Sequence, residues 1–367
     1  MTRPQQPLGG GRRVTISDVA AELGLTKGTV SRALNDYPDI SEGTRLRARR
    51  AAERLGYRPM GSAQAIRTGR CRAIGLVLET DEHDAHRPFL DLFLAGLSDG
   101  AAAEGWTLTV ATAPVGAARE TYQRLIDERK ADGFVLPRTK LEDPRVELLR
   151  GSDVPFVLFG GHKTTEGCAW FDIDGADAMR QTAHILKDRG HTRIAYVGGS
   201  PDYAYNGQRQ GGLEAGLAEC DLALDPTLVR HGANNRAIGE AVTAELLDLP
   251  EPPTAIVFAV DRAALGAWRP AEARGLAVGR DLAVIAYDGD PEGAFTEPPL
   301  ATWSVDWGQA GTILARMLIQ RVLGAPVEDL RATMPAQFLD RGTASAVIPP
   351  DLLEREAGKP SHKGGDS

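Results

Sequence analysis

Hydrophobic residues follow two different spacings along this chain. Between residues 15 and 57 they recur at helical spacing, which predicts three short helices. Ser17, Thr26 and Ser41 precede the three apolar runs, and hydroxyl residues of this kind are typical of helix N-termini. Gly24 separates the first two runs, where a tight turn favours glycine. The N-terminal part of the chain therefore predicts a small all-α head.

Beyond residue 70, short apolar runs alternate with amphipathic segments. Many of these runs are apolar at consecutive positions, as in parallel strands that are covered on both faces. The predicted strands cover 73–79, 106–112, 133–137, 155–159, 168–173, 193–198, 254–259 and 282–288. The predicted helices include 174–189, 207–220, 235–248 and 306–323. Repeated strand–helix units predict an α/β fold, and their number predicts two doubly wound lobes with a cleft between them.

These lobes form one part of a chain that is expected to divide into five. A length of 367 residues is more than one hydrophobic core usually serves, so separate domains are expected. The predicted parts are a disordered basic arm (1–13), a helical head (14–58), a linker (59–70), a two-lobed body (71–346) and a flexible tail (347–367). Within the body, the expected bounds are 71–171 and 304–333 for lobe 1, and 172–303 and 334–346 for lobe 2.

Charge is distributed unevenly between these parts. The chain carries 42 Lys/Arg and 50 Asp/Glu, a net charge of −8. Residues 1–70 contain 13 Lys/Arg and 6 Asp/Glu, so the remaining residues hold 29 and 44. A head with a net charge of +7 is therefore attached to a body with −15. A basic surface on a small helical domain is typical of proteins that bind nucleic acid.

Several other function classes are disfavoured. Cys71, Cys168 and Cys220 form no CxxC pair, so neither a zinc site nor a disulfide framework is expected. The sequence starts with no apolar export-like stretch and contains no run of eighteen apolar residues, which predicts a cytoplasmic protein without membrane contact. Dinucleotide-binding, P-loop, zinc-protease and nucleophile-elbow motifs are absent from it. We therefore expect neither an enzyme nor a cofactor.

Residues 15–35 have the layout of a helix-turn-helix. Its expected core consists of Val19, Ala20, Leu23, Leu25, Val30 and Leu34. The side chains expected to be exposed on the second helix are Lys27, Gly28, Thr29, Ser31, Arg32 and Asn35. Hydroxyl, amide and cationic groups on one helix face match the base edges and phosphates of a DNA major groove. The alternative is the solvated face of a generic three-helix domain.

Two runs, TISDVAAELGLTKGTVSRALN and ISEGTRLRARRAAERLGYRP, resemble the head of the lactose/galactose repressor family. The likeness covers residues 14–70 without a gap, and later segments are similar as well. It implies a DNA-binding transcriptional regulator, in most cases a repressor, whose body has the two lobes of periplasmic-binding proteins. In this likeness Lys27 and Gly28 occupy the positions that vary with operator sequence. The DNA contacts that it implies in the head are Ser17, Thr26, Lys27, Gly28, Thr29, Ser31, Arg32, Asn35 and Thr44.

Residues 59–66 match the family's hinge helix, and the resemblance implies that Ala63 and Ile66 contact the minor groove. Ile66 stands where the family usually has the leucine that wedges between base pairs, and its stiffer side chain alters the geometry of insertion. Gly61 weakens such a helix by roughly 1 kcal/mol relative to alanine. We therefore expect the segment to become ordered only with DNA and a partner subunit; a simple linker is the alternative.

Polar residues that follow predicted strands are candidate ligand contacts, because open α/β sheets bind ligands at the carboxyl ends of their strands. Carboxylates and a guanidinium suit the vicinal hydroxyl groups of a mono- or oligosaccharide, and aromatic rings suit its apolar face. The expected effector contacts are Phe89, Trp170, Asp172, Arg209, Asn234, Asp261, Asp288 and Trp303. The resemblance implies effector contact most directly for Arg209 and Asp288.

Some of these side chains have a structural alternative. Asp174 and Asp261 both precede helical runs and are equally consistent with helix N-caps. Phe89 and Trp170 are equally consistent with the hydrophobic core. A transport-type binding protein is an alternative for the body as a whole, but proteins of that class are exported and lack a helix-turn-helix.

Two departures from the family pattern leave the particular sugar open. Val260-Asp261 stands where Asn-Asp is common, and Gly160-Gly161 replaces the usual polar residue after a strand.

A single recognition helix reads few base pairs, so a homodimer on a pseudo-palindromic operator is expected, with apolar surface at 88–104 and 306–323 as its source. A tetramer remains open, as does the choice between an effector that releases the operator and one that promotes binding.

Overall fold

The computed structural model describes residues 14–57, 69–80, 90–161 and 167–345. Three predicted contact residues, Ala63, Ile66 and Phe89, lie outside these ranges. The chain divides after Cys71 into two compact units, a head and a body, and each is described by itself.

The head contains three helices packed around a small core. The helices are α1 (Ile16–Leu23), α2 (Lys27–Leu34) and α3 (Glu42–Leu55). Every position of the predicted core either lies in the main buried cluster or packs against it. The third helix completes this cluster with the small side chain of Ala51, which is 1% exposed. Because alanine lets helices approach closely, a core of only a few residues suffices to hold the three helices together.

The helix N-termini follow the predicted pattern with one exception. Thr26 and Ser41 accept hydrogen bonds from backbone N–H groups three residues ahead, at 3.1 and 3.4 Å, so both predicted N-caps are confirmed. The predicted start at Ser17 is wrong, because Thr15 is the N-cap of α1. The carboxylate of Asp18 accepts a hydrogen bond from the backbone N–H of Thr15 at 2.7 Å. An acidic residue three positions after a threonine is the sequence pattern that indicates this N-cap, and it was overlooked.

Lobe 1 of the body is a sheet of six strands flanked by helices. Its strands are β1 (Ala73–Thr80), β2 (Thr107–Pro114), β3 (Gly133–Pro137), β4 (Phe156–Phe159), β5 (Ala169–Ile173) and β11 (Arg331–Met334). Its helices are α4 (Leu90–Ala103), α5 (Ala118–Asp127), α6 (Pro144–Gly151) and α12 (Trp307–Val322). The strand order is β11-β5-β4-β3-β1-β2, and all pairs are parallel.

Lobe 2 repeats this architecture with a second six-stranded sheet. Its strands are β6 (Ile194–Val197), β7 (Val229–Arg230), β8 (Ala255–Phe258), β9 (Ala283–Asp288), β10 (Ala301–Ser304) and β12 (Gln337–Leu339). Its helices are α7 (Gly175–Asp188), α8 (Ala204–Glu219), α9 (Arg236–Leu247), α10 (Asp261–Ala264) and α11 (Trp268–Glu272). The strand order is β12-β10-β9-β8-β6-β7, and only the pairing of β10 with β12 is antiparallel.

The predicted α/β fold with two doubly wound lobes is confirmed. The described chain passes between the lobes at residues 173–175, 304–307 and 334–337. Four short strands, β7, β10, β11 and β12, were not predicted, because each has only two to four residues and mixes polar with apolar side chains. Within the described ranges, no helix has the length and the apolar character needed to cross a membrane.

Close helix packing in lobe 1 positions one wall of the cleft. A Cβ atom added to Gly96 of α4 would lie 2.0 Å from the carbonyl oxygen of Gly308 in α12, and one added to Gly311 would lie 2.5 Å from that of Phe93. Only glycine permits backbones to approach this closely. The N-terminal turns of α4 and α12 are therefore adjacent, which places Phe93 and Trp307 in the same wall.

Candidate functional site

A cavity of about 320 Å³ opens between the two lobes, at the carboxyl ends of both sheets. Its walls include residues at or just beyond the carboxyl ends of β3, β4 and β5 of lobe 1 and β8, β9 and β10 of lobe 2. Five residues predicted from the sequence line it: Asp172, Arg209, Asn234, Asp261 and Asp288. We call this cavity the interlobe cleft.

Arg209 is the buried cation of the interlobe cleft. It lies on α8, and its guanidinium stands 3.7 Å from the ring centre of Tyr287 and 4.7 Å from that of Tyr205. One terminal nitrogen donates to the backbone carbonyl of Ala259, and the other donates to Oδ1 of Asp288 at 3.4 Å. Burial acts to lower the pKa of Arg209, but the negative charge of Asp288 and the neighbouring tyrosines raise it above its ordinary value. The side chain is therefore a fixed positive charge.

Asp288 pairs with this cation at the end of β9. Burial raises the pKa of its carboxyl group to about 6, although the adjacent Arg209 acts in the opposite direction. The backbone of Asp288 has φ of 121°, and Gly289 follows with φ of 77°. The carbonyl oxygen of Asp288 accepts a hydrogen bond from Nε1 of Trp307 at 3.2 Å. This turn aims a carboxylate into the cleft and ties the two lobes together.

Asp261 lies in the same wall and is 1% exposed. Its Oδ1 accepts from the hydroxyl of Thr302 at 2.7 Å, and its Oδ2 accepts from the backbone N–H of Asp290 at 2.6 Å. Burial, followed by the charge of Asp288, raises the pKa of Asp261 to about 7. Val260 is the N-cap of α10, so the alternative that Asp261 caps this helix is wrong. Asp261 instead joins the loops that follow β8 and β9.

We expect Asp261 to make the folded body more stable at acidic pH than at basic pH. Its pKa is about 7 in the folded state and about 4 in an unfolded chain. The folded state therefore binds more protons in this window, so its contribution to stability is complete below pH 4 and is lost as the pH rises through 7. Urea unfolding at pH 5 and pH 8 measures the difference, to which Asp261 should contribute about 1–3 kcal/mol.

Asp261→Asn should remove most of that contribution, whereas Asp99→Asn, a change at an exposed residue of α4, should leave the difference intact. Equal pH dependence in the wild type and in Asp261→Asn would show that Asp261 does not titrate in this window.

Asp172 and Asp174 act differently, although one residue separates them. Oδ2 of Asp172 accepts from the backbone N–H of Gly161 at 2.7 Å, and burial raises the pKa of this carboxyl group. Asp174 is the N-cap of α7 and accepts from the backbone N–H of Asp177 at 2.9 Å, so its capping alternative is confirmed. Asp172 thus lines the interlobe cleft, and Asp174 secures the helix that follows.

Aromatic side chains form the lobe 1 wall of the cleft. The rings of Phe93 and Phe159 stack with their centres 5.3 Å apart, and Trp307 meets Phe159 edge-on at 6.1 Å. All three residues line the cavity. An apolar aromatic surface therefore faces the charged wall of lobe 2.

Two predicted aromatic contacts are wrong. Trp303 is 3% exposed, donates from Nε1 to the hydroxyl of Thr182 at 2.8 Å and packs on Phe338, so it belongs to the core beneath α7. Trp170 lies within β5 and packs against the lobe 1 cluster between the sheet and its outer helices. The cleft opens only beyond the carboxyl ends of strands, and neither tryptophan reaches it. Trp307, four residues after Trp303, lines the cleft instead.

The predicted DNA-contacting face of the head surrounds α2. Lys27, Gly28 and Arg32 are exposed, and Thr26 is exposed at the N-cap. Half-buried residues among the predicted contacts are Ser17, Thr29, Ser31, Asn35 and Thr44.

Two of these side chains have partners within the head. Nη1 of Arg32 forms an ion pair with Asp39 at 2.8 Å, and Nδ2 of Asn35 donates to the carbonyl of Ser31 at 2.6 Å. Contact with a base through either side chain would require these bonds to be exchanged.

Comparison with known proteins identifies the family of the chain. Residues 15–60 match the family model described as bacterial regulatory proteins, lacI family, and residues 183–344 match the periplasmic binding protein-like domain. The HTH-type transcriptional regulator AglR of Rhizobium meliloti (strain 1021) is 33% identical over 321 residues, which cover 84% of this chain and 88% of that protein. The chain belongs to the lacI family. The resemblance deduced from residues 14–70 is therefore confirmed.

Other members of the lacI family match over most of the chain. The HTH-type transcriptional regulator CelR of Thermobifida fusca is 30% identical over 334 residues, covering 90% of this chain and 98% of CelR. A solved CelR–cellobiose complex has a TM-score of 0.69 at 29% identity, over 90% of this chain and 100% of that chain. The lac repressor dimer bound to operator and the anti-inducer ONPF has a TM-score of 0.76 at 24% identity, over 91% and 100%, and shows the same fold.

Membership of the lacI family decides between the function classes left open by the sequence. Its members are DNA-binding transcriptional regulators, so this chain is a regulator and not an enzyme. A transport-type binding protein is excluded by the same match, because residues 15–60 form the family's DNA-binding domain.

Several residues of the cleft in this lacI-family protein were missed by sequence reasoning. Arg138 directly follows β3 and Asp290 closely follows β9, so the strand-end rule that found Asp288 also applies to them. Tyr205 lies four residues before Arg209 on α8, one helical turn away. The sequence pattern did not distinguish Trp307, because this residue begins an apolar helical run that predicts a core position.

Proposed function

We propose that this lacI-family regulator is a cytoplasmic repressor that binds a pseudo-palindromic operator as a homodimer, and that a sugar in the interlobe cleft controls its operator affinity. The observation that carries the proposal is the aromatic wall of lobe 1 facing the Arg209–Asp288 pair of lobe 2 within one cavity. A pyranose ring has an apolar face and a rim of hydroxyl groups, so each part of it meets its complement there.

The relatives support the same classes of ligand and DNA. One solved relative, CelR, holds cellobiose, and another, the lac repressor, is a dimer bound to operator. The basic residues of α2 and the hydroxyl groups around its N-terminus supply the kinds of contact that proteins make with phosphates and base edges. A dimer would present two such heads to two half-sites of an operator.

The proposed control is a free-energy coupling between the interlobe cleft and the operator. A sugar that bridges the two lobes favours their closed arrangement, and this changes how well two heads fit the two half-sites. Linkage requires the operator to change the affinity for the sugar by the same factor by which the sugar changes the affinity for the operator. Whether the sugar weakens or strengthens operator binding can be measured, and for a repressor we expect the sugar to weaken it.

Gel-shift titrations with promoter fragments test the proposal. The protein is titrated at moderate salt with and without a panel of saccharides that includes cellobiose, maltose, lactose and glucose. A sequence-selective shift that one saccharide weakens is expected. Absence of any selective shift contradicts the operator proposal, and a selective shift that no sugar alters contradicts the effector class. Thermal melting with the same panel identifies binding independently, because a ligand of the folded state raises Tm.

A contact between the lobes at the rim of the cleft supports control by closure. The backbone N–H of Leu141 donates to the carbonyl of Asp202 at 2.9 Å, and that of Ala204 donates to the carbonyl of Thr139 at 3.0 Å. These bonds accompany an antiparallel bridge in which Tyr203 takes part, beside a guanidinium of lobe 1. We call the contact of residues 138–141 with 202–204 the latch. It stabilises the closed arrangement in which the cavity is formed.

Ala204→Pro is expected to weaken saccharide binding about tenfold by opening the latch. Ala204 is the first residue of α8, where proline is favoured, and Tyr203 before it already has the extended conformation that proline requires. The substitution removes the N–H that reaches Thr139 and places a ring carbon against its carbonyl. Calorimetry measures the affinity, and small-angle scattering should detect a larger radius of gyration.

Arg236→Pro is the matched control, because it also places proline at the first position of a lobe 2 helix, at an exposed residue outside the latch. Unchanged affinity in Ala204→Pro, or an equal loss in both variants, would contradict the role of the latch.

A further inference from the structure

Two polar atoms in the wall of the interlobe cleft lack hydrogen-bond partners among the described residues. They are Oδ2 of Asp290 and Nε of Arg262, and both atoms are buried. They face each other at 3.5 Å as an ion pair without hydrogen-bond geometry. The side chain of Asp290 is only 5% exposed, so this carboxylate oxygen is held away from bulk solvent.

Neighbouring contacts fix Asp290 in this position. Its Oδ1 accepts from the backbone N–H of Glu292 at 2.9 Å, and its own backbone N–H donates to Oδ2 of Asp261 at 2.6 Å. Arg262 follows Asp261 in the first turn of α10. One oxygen of Asp290 is therefore used by the fold, and the other accepts no hydrogen bond from the described residues, although Asp290 and Arg262 both line the cleft.

The chemistry of this pair specifies the group that would complete it. A buried charged oxygen without a donor is costly, and native proteins keep such an atom where a ligand or an ordered water supplies the partner. The pair presents an acceptor, Oδ2 of Asp290, beside a donor, the Nε–H of Arg262. A hydroxyl group both donates and accepts hydrogen bonds, so it satisfies both atoms. A phosphate oxygen satisfies only the donor and brings a negative charge next to a carboxylate.

We propose that Asp290 and Arg262 form a second effector subsite, which binds one hydroxyl group of an uncharged saccharide and disfavours phosphorylated sugars. The partly exposed side chain of Arg262 moves to admit the hydroxyl group, which then donates to Oδ2 of Asp290 and accepts from Nε of Arg262. The inference rests on the proposed function, because it assigns to the same cleft a specificity beyond that of Arg209 and Asp288. Sugars that present a hydroxyl group at this subsite are bound more tightly than those that do not.

Isothermal titration calorimetry of the full chain with cellobiose, maltose, lactose and glucose tests the subsite. Asp290→Asn can keep Oδ1 as the acceptor for Glu292 while an amide nitrogen replaces Oδ2, so a donor replaces the acceptor. Affinity for the saccharide that the wild type binds best is expected to fall at least about tenfold. The control Glu292→Gln alters an exposed carboxylate of the same short helix and should leave affinity unchanged.

If one hydroxyl group contacts both side chains, the losses of affinity caused by replacing them should not add. Arg262→Met should also weaken binding, and the double variant with Asp290→Asn should lose no more than the larger single loss, because the same group contacts both. Losses that add would overturn the shared contact.

Ligand-free melting separates a subsite from a structural ion pair. Asp290→Asn is expected to keep Tm within a few degrees of the wild type, whereas a fall of more than about 5 °C would mean that the fold needs the pair, and would overturn the proposal. If the wild type binds none of the saccharides, the proposed effector class and the proposed subsite are both wrong. If the wild type binds one and Asp290→Asn binds it equally well, only the subsite is wrong.

Discussion

Replacing Arg209 by leucine is expected to abolish saccharide binding, with a loss of affinity of more than about a hundredfold. The substitution removes the buried cation that stacks on two tyrosine rings and orients Asp288. It also leaves the carboxyl group of Asp288 without its counter-ion, which should cost about 2–3 kcal/mol of folding stability after partial relief by protonation. Calorimetry and urea unfolding measure the two effects separately.

Companion variants show which property of Arg209 matters. Arg209→Lys keeps the charge but loses the planar group that stacks between the rings, so intermediate affinity is expected. Combining Arg209→Leu with Asp288→Asn should recover stability without recovering binding, because the unpaired charge is gone while the contact is still missing. Wild-type affinity in Arg209→Leu would remove Arg209 from the binding site.

Arg32→Ala is expected to weaken operator binding by about 10- to 100-fold and to have little effect on binding to unrelated DNA. The Arg32 side chain is 52% exposed on α2 and carries the paired donors that suit a guanine edge. Its ion pair with Asp39 must open when it contacts a base, so Asp39→Asn should raise operator affinity by a few-fold. Fluorescence anisotropy with operator and scrambled duplexes at several salt concentrations measures both changes.

Arg54→Ala is the matched control for this prediction. Arg54 is another exposed arginine, in the last turn of α3; it is paired with Glu22 and lies outside the predicted contact face. Little change in operator selectivity is expected. Equal losses on operator and scrambled DNA in Arg32→Ala would mean that Arg32 contacts phosphates and does not read bases. Saccharide affinity in the absence of DNA should be unchanged in all three variants.

Local regularities let the sequence predict the head and the architecture of the body. The N-caps at Thr26 and Ser41 depend on hydrogen bonds to residues three positions ahead, so a short stretch of sequence contains them completely. Consecutive apolar residues similarly mark strands that are covered on both faces. These signals failed where an element was very short, as in β10 to β12, or where a competing residue stood next to the true cap, as at Ser17.

The strand-end rule located much of the candidate cleft. Asp172 and Asp288 lie at the carboxyl ends of β5 and β9, and Asp261 follows β8, so their placement in one cavity results from parallel strands ending at a common edge. The same rule could not choose between Trp303 and Trp307, because the side on which a side chain emerges depends on packing between segments far apart in sequence. Thr182 and Phe338 hold Trp303 in the core, and neither is near it in the chain.

The sequence by itself determined the family, the DNA-binding head, the two-lobed body and the ends of the strands at which a ligand would bind. Only the tertiary structure decided the electrostatic character of the cleft. The raised pKa of Asp261, the clamping of Arg209 between two tyrosines and the spare oxygen of Asp290 all depend on partners brought together from separate strands and helices. Burial and Coulomb interactions act through space, so a sequence pattern that records only neighbours along the chain does not contain them.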